Sequence, residues 1–359
     1  MNDWRIFTGT GDPHDRILDL PDPPSWRQFD REEDEIAWVE APRELTGRDR
    51  TRGQNFRVSS TDEDLVNVVN AALYLRRPLL VTGKPGTGKT SLAYRIAYEL
   101  NLGPVLPWSI TARSTLQDGL YRYDAISRLQ DVQLKPKDDE QKTNGTVKSD
   151  IGNYIQLGPL GTALLPNARF GAANGAKRSK NDSPKAVPRV LLIDEFDKSD
   201  INLPNDLLNL FEEGQFEIPE LARIAKDTDR VQVRTYDGQD VSLKAGQVKC
   251  VSFPFIVLTS NGERDFPPAF LRRCLRLTMA DPDESALADM VKAHLGDAAV
   301  EEAEPLIAQF VEKRMKGDLS PDQLLNAVYL VTRQFSPVGG DKTKLMDVLM
   351  KYLSSAEDG

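Results

Sequence analysis

The stretch Leu79-Leu80-Val81-Thr82-Gly83-Lys84-Pro85-Gly86-Thr87-Gly88-Lys89-Thr90 decides the reading of this chain. Its last eight residues fit the pattern G-x-x-x-x-G-K-[ST]. They follow directly on a short apolar strand, Leu79 to Val81, and open a helix expected over Thr90 to Leu100. Glycines let successive backbone N–H groups wrap a phosphate, and a helix N-terminus adds the positive end of its dipole. In such a loop Gly83, Lys84, Pro85, Gly86, Thr87 and Gly88 form the cradle, Lys89 neutralises the β and γ phosphates, and the Thr90 hydroxyl ligates Mg²⁺.

A phosphate cradle needs a second half, and Val190-Leu191-Leu192-Ile193-Asp194-Glu195 has the right chemistry for it. A fully apolar strand ending in Asp194 delivers one carboxylate to the Mg²⁺ shell, and the adjacent Glu195 can take a proton from an attacking water. That pairing favours hydrolysis over transfer to a small-molecule acceptor. Further on, Phe255 to Thr259 reads as another buried strand, with Asn261 just beyond its end. Asn261 either orients the water between Glu195 and the γ phosphate or simply makes an Asn-Gly turn with Gly262. Arg272 and Arg273 then precede a strand read as Cys274 to Thr278, as functional cations or as surface charges. Asp197-Lys198-Ser199-Asp200 has only a faint likeness to a guanine-reading motif and is set aside.

Around these motifs the chain divides into four stretches. Residues 1–55 are rich in turn formers and carry Trp4, Trp26 and Trp38, which reads as an extended arm pinned by its tryptophans. Ser60 and Glu63 suggest a capping box ahead of an amphipathic helix with Leu65, Val66, Val69, Ala72 and Leu73 on one face. Strands and helices alternate from there, with another strand over Val105 to Ile110, which argues for a parallel sheet with covered faces. An insertion at about 130–188 holds two polar stretches, Lys135 to Asp150 and Gly171 to Pro188, that cannot bury enough apolar surface to order themselves. The more apolar Tyr154 to Pro166 lies between them. Short strands with an Asp237-Gly238 hairpin signal are expected over 216–253, and from 282 to 359 only helices, in pieces near 283–295, 299–316, 322–335 and 341–354.

Composition removes several classes of function. The 359 residues are 40% hydrophobic and 28% charged, with 46 Lys plus Arg against 55 Asp plus Glu, a net charge of -9. That field repels nucleic-acid backbones at a distance, so general DNA coating is disfavoured. Two cysteines, Cys250 and Cys274, and two histidines, His14 and His294, leave no material for a disulfide framework, a histidine metal site or a Ser-His-Asp triad. All four read as core or solvent residues. With no signal-peptide pattern they fit a reducing cytoplasm, and no apolar run approaches the roughly 18 residues of a membrane span.

The order of phosphate loop, Asp194-Glu195, Asn261, Arg272-Arg273 and a helical domain resembles the Walker A, Walker B, sensor 1, arginine finger and lid of AAA+ ATPases, over about residues 56–355. Within that superfamily the chain looks most like the MoxR branch, on the insertion with Tyr154-Ile155-Gln156-Leu157-Gly158-Pro159-Leu160 and on the hairpin before Asn261. The resemblance implies a P-loop NTPase core, a parallel five-stranded sheet between helices, over 56–281, followed by an all-helical lid over 282–359. It implies ATP and Mg²⁺ as ligands, catalytic roles for Glu195, Asn261 and Arg273, and assembly as a ring, expected to be a hexamer. Arg273 is preferred to Arg272 because Arg273-Cys274 resembles the Arg-Cys of clamp-loader ATPases. The implied work is chaperone-like remodelling of a protein, often beside a von Willebrand factor A domain partner. A nucleic-acid motor like the restriction NTPases, and a nucleotide-gated scaffold with little turnover, are the alternatives. One departure stands out: MoxR-like lids carry a sensor 2 arginine just after a Ser-Pro pair, whereas Ser320-Pro321 is followed by Asp322, with Arg333 only later.

Overall fold

The structure, a computed structural model, describes residues 4–9, 11–29, 32–56, 58, 62–134, 150–169, 184–314, 319–332 and the pairs 344–345 and 348–349. Its centre is a sheet of five strands, β1 (Leu79–Thr82), β2 (Leu106–Ser109), β3 (Val190–Asp194), β4 (Phe255–Ser260) and β5 (Leu275–Thr278). They lie in the order β5-β1-β4-β3-β2, every neighbouring pair parallel. The expected five-stranded parallel sheet between helices is therefore what the chain forms.

Alternation along the strands explains the two covered faces. Leu80, Leu191, Ile193, Ile256 and Leu258 point into one apolar cluster, shared with α4 (Leu203–Glu213) and the insertion. Their neighbours Leu79, Val81, Val190, Leu192, Phe255 and Val257 point into the other, which holds α2 (Glu63–Leu75) and α3 (Lys89–Glu99). Because all strands run the same way, their C-terminal ends share one rim of the sheet. Gly83, Glu195 and Asn261 all leave the sheet at that rim.

The amino-terminal segment differs from a simple extended arm. It contains α1 (Gly47–Asn55), which packs on α3 with the Arg52 guanidinium 4.5 Å over the Tyr94 ring and Arg52 Nε donating to Ser91 Oγ at 3.3 Å. The tryptophans are not its main anchors: Trp26 is 71% and Trp4 47% exposed and Trp38 is half-buried, while Ile6, Phe7, Ile17 and Leu20 are buried. Polar bonds complete the attachment. Asn70 Oδ1 accepts the N–H groups of Ile6 and Phe7 at 2.7 and 3.0 Å. Ser60, half of the expected capping box, lies outside the described residues, and α2 starts at Glu63 behind Asp62.

The insertion is tied into a second sheet. Its strand Ile155–Leu157 pairs with Tyr121–Tyr123 on one side and with the hairpin strand Arg230–Arg234 on the other, giving a four-stranded sheet that ends in Asp240–Lys244. The hairpin turns at Gly238, and its Asp237 takes a 2.9 Å hydrogen bond from the buried Arg189 guanidinium just before β3. Most of the two polar stretches read as arms lies outside the described residues.

Among the described residues the sheet is followed by α5 (Glu284–Leu295), α6 (Asp297–Arg314) and α7 (Pro321–Val331), packed through Leu287, Val291, Ala303, Ile307, Phe310, Leu324 and Val328. The piece expected at 341–354 falls almost wholly outside the described residues. Among those residues no helix is long and apolar enough to cross a membrane.

Candidate functional site

At the rim of the sheet β1 ends and the glycine loop begins. Gly86 has φ +80° and Gly88 φ +90°, a left-handed backbone that only glycine adopts without strain. Both glycines are also approached closely. A Cβ on Gly86 would lie 2.4 Å from Ser320 Oγ, and one on Gly88 would lie 2.5 Å from the Phe56 ring. The cradle is therefore walled by Phe56 on one side and by the start of α7 on the other. Lys84 adds an ion pair at 3.4 Å to Asp281, on the segment leading into the lid helices.

Lys89 is the first residue of α3 and is buried. Its Nζ donates to the carbonyls of Gly83 and Lys84, both at 2.7 Å, so the ammonium already points back into the loop it belongs to. Burial pulls its pKa below the usual lysine range, opposed by the carboxylates of Asp197, Asp194 and Glu195 in that order. A phosphate brought into the loop offers this ammonium a charged acceptor in place of two neutral carbonyls.

Across the rim, three side chains form one hydrogen-bonded chain. Thr90 Oγ1 donates to Asp194 Oδ1 at 2.9 Å, and Thr259 Oγ1 donates to the same oxygen at 2.6 Å. Thr259 Oγ1 in turn accepts the Glu195 N–H at 2.9 Å. Thr90 from α3 and Asp194 from β3 thus bring a hydroxyl and a carboxylate together beside the phosphate cradle. Hard oxygen donors of this kind suit Mg²⁺.

Glu195 departs from ordinary backbone geometry. Its φ is +57°, a left-handed conformation that costs a non-glycine residue about 1–2 kcal/mol. The turn lifts its side chain off the strand, where Lys198 Nζ meets Glu195 Oε2 at 2.9 Å. Asn261 follows β4 on the adjacent strand. Its N–H donates to Asp197 Oδ2 at 2.8 Å, and Gly262 beside it has φ +81°, so Asn261 does open an Asn-Gly turn. The same turn holds the half-buried Asn261 side chain at the rim that carries Glu195.

Arg273 sits elsewhere. It precedes β5, whose Leu275 aligns with Leu79 at the start of β1. The four residues of β1, at about 3.3 Å each, put roughly 13 Å of strand between that end and Gly83. Arg273 Nε donates to Glu212 Oε1 at 2.6 Å, near the end of α4, and Arg273 Nη1 donates to the Ala269 carbonyl at 3.1 Å. Arg272 beside it is exposed.

Residues 78–274, more than half of the chain, match the family described as AAA domain (dynein-related subfamily). The chain belongs to that AAA family. ATP binding and hydrolysis come with membership at the level of the family, and the match ends at Cys274, just before β5. No curated protein matches the chain.

The AAA domain contains polar residues at its rim that sequence reading passed over. Thr259 is one: two polar residues, Thr259-Ser260, end an otherwise apolar strand, and that break in the pattern was the available signal. Asp197 is another, set aside with its faint motif yet only 5% exposed. Ser320, outside the matched residues and named in the sequence only for its Ser-Pro pair, meets the same rim. It caps α7 in a capping box with Gln323 and stands over Gly86 where a sensor 2 arginine would follow. Arg333 lies outside the described residues.

Proposed function

We propose that this chain is a Mg²⁺-dependent ATPase of the MoxR-like branch that assembles as a ring, expected to be a hexamer, and remodels a protein partner. One observation carries the catalytic part: Thr90, Asp194, Thr259 and the Glu195 backbone form a continuous hydrogen-bonded chain on the sheet rim from which the phosphate loop departs. Gly83 to Gly88 wrap the phosphates, and Lys89 exchanges its two loop carbonyls for phosphate oxygens. Thr90 and Asp194 would hold Mg²⁺, which would supply charge neutralisation at the phosphates. Glu195 takes a proton from water as the water oxygen bonds to the γ phosphorus, and the bond from that phosphorus to the bridging oxygen breaks to release ADP. Asn261 orients that water from the neighbouring strand.

Arg273 supports the ring. It lies at the end of the sheet opposite its own phosphate loop, so its charge serves a γ phosphate only on a neighbouring copy, in a head-to-tail contact that closes on itself. Its ion pair with Glu212 opens when the neighbour docks. The remodelling role, with a von Willebrand factor A domain protein as a candidate partner, rests on the likeness of the insertion and hairpin to MoxR-like proteins. That insertion and hairpin share one sheet, a continuous surface for a partner. Cys250 and Cys274 are buried thiols, which suit a reducing cytoplasm.

Mixing two inactive proteins tests the ring and the finger together. Arg273→Ala and Lys89→Ala, combined at concentrations where rings form, recreate some interfaces with an intact loop and an intact finger, and partial ATP turnover returns. A mixture that stays inactive while both variants assemble, or an Arg273→Ala protein with full activity, contradicts the assignment and turns attention to Arg272.

A further inference from the structure

Asp197 has no role in the mechanism above, yet at 5% exposure it is more enclosed than either Asp194 or Glu195. It sits in the short turn Phe196–Lys198 that follows Glu195, held in place by Phe196, whose ring stacks on Phe266 at 5.2 Å and packs on Phe270 at 5.2 Å. One oxygen, Oδ2, accepts the N–H of Asn261 at 2.8 Å and the N–H of Glu263 at 3.2 Å. The other, Oδ1, is buried and has no hydrogen-bond partner among the described residues. Such a group is costly to keep unless the fold uses it.

A second clasp joins the same two segments. Arg264 Nη1 donates to the Ser199 carbonyl at 2.8 Å, and Arg264 Nη2 to Ser199 Oγ at 3.2 Å. The turn after β3 and the loop after β4 are thus tied at two points, with Asp197 the one nearer the chemistry.

We propose that Asp197 is a positioning residue for ATP hydrolysis: its carboxylate ties the Asn261–Glu263 loop to the Asp194–Glu195 turn, so that the Asn261 amide and the Glu195 carboxylate address the same water. The proposal rests on the ATPase reading above. Two groups on separate strands can share one water only if their loops keep a fixed separation, and a misplacement of about 1 Å can cost about 100-fold in rate. Backbone N–H donors give Asp197 that control, because they fix the main chain of the loop.

The test uses the full chain, with steady-state ATP turnover and equilibrium binding of a fluorescent ATP analogue. The variants are Asp197→Ala, Asp197→Asn, Asn261→Ala and the Asp197→Ala/Asn261→Ala double. Asp197→Ala lowers kcat by about 100-fold while KM and analogue affinity stay within about threefold. Asp197→Asn recovers most of that loss, since one amide oxygen can accept the same two N–H groups. The double variant is no slower than Asn261→Ala alone, because Asp197 acts through Asn261. Should Asp197→Ala not fold, Asp197→Ser, whose hydroxyl is too short to reach both donors, takes its place in each comparison. A kcat within about threefold of the parent in the Ala or Ser variant, an Asn variant as impaired as Ala, or losses that multiply in the double each overturn the proposal. Failure of the underlying reading looks different: the parent turns over no ATP, or Glu195→Gln turns over as fast as the parent.

Discussion

Replacing Thr259 with valine removes one oxygen atom and keeps the shape of the side chain. The hydroxyl is 2% exposed at the residue level, donates to Asp194 Oδ1 at 2.6 Å and accepts the Glu195 N–H at 2.9 Å. A hydrogen bond to a charged acceptor contributes about 1.5–3 kcal/mol, and a backbone N–H left without its partner in a partly buried site costs about 1–3 kcal/mol. Asp194 keeps Thr90 as a donor, which offsets part of the first loss. The net is about 2–4 kcal/mol, and at roughly 2 °C per kcal/mol the melting midpoint falls by about 4–8 °C. The Glu195 backbone, left-handed at φ +57°, then loses the bond that holds it there. Glu195 swings away from the water, so kcat falls at least tenfold while ATP affinity changes little. Thermal melting by circular dichroism and steady-state turnover read the two effects, with Thr259→Ser as the control that restores both. A Thr259→Val protein with a melting midpoint within about 1 °C and an unchanged kcat would refute the reasoning.

Two further outcomes follow from the geometry. Gly86→Ala sets a side chain at φ +80° against Ser320 Oγ, so it loosens the contact of α7 with the phosphate loop and weakens ATP binding at least tenfold; calorimetric titration showing parental affinity contradicts the close approach. Burial pushes the Glu99 carboxyl up, but the His14 ring 3.7 Å away, hydrogen bonds from the Thr8 N–H and hydroxyl, and the charge of Arg95 outweigh it and hold its pKa below the ordinary 4.5. A depressed folded pKa gives stability that is present above the unfolded value and lost as pH falls through the folded one. Glu99→Gln therefore destabilises the chain most at neutral pH, and the gap from the parent closes below about pH 4.5 in a pH series of melting curves. A gap that is constant with pH contradicts it.

Much of the core could be read from residues in order along the chain. The phosphate loop and the Asp194-Glu195 pair carry local patterns, an apolar strand followed by a defined set of polar residues, and the structure puts both at one rim. What was hidden depends on neighbours far apart in sequence. Thr259 and Asp197 gain their partners only because β3 and β4 lie side by side, and nothing in their own surroundings announces it. The helix Gly47–Asn55 has the sequence GRDRTRGQN, with two glycines and no apolar residue, so its propensity is poor. It forms because α3 offers Tyr94 and Ser91 to Arg52, a tertiary reason. The insertion shares that logic, since Gln156 pairs with Arg234 across a long gap in the chain.

The central claim is that this chain hydrolyses ATP with Lys89 binding and Glu195 reacting. It is tested most directly by measuring ATP affinity and turnover side by side on the parent, Lys89→Ala and Glu195→Gln. The account predicts that Lys89→Ala loses binding, and that Glu195→Gln binds ATP like the parent while its turnover drops by about 10²–10⁴. Parental affinity in Lys89→Ala, or parental turnover in Glu195→Gln, would contradict it.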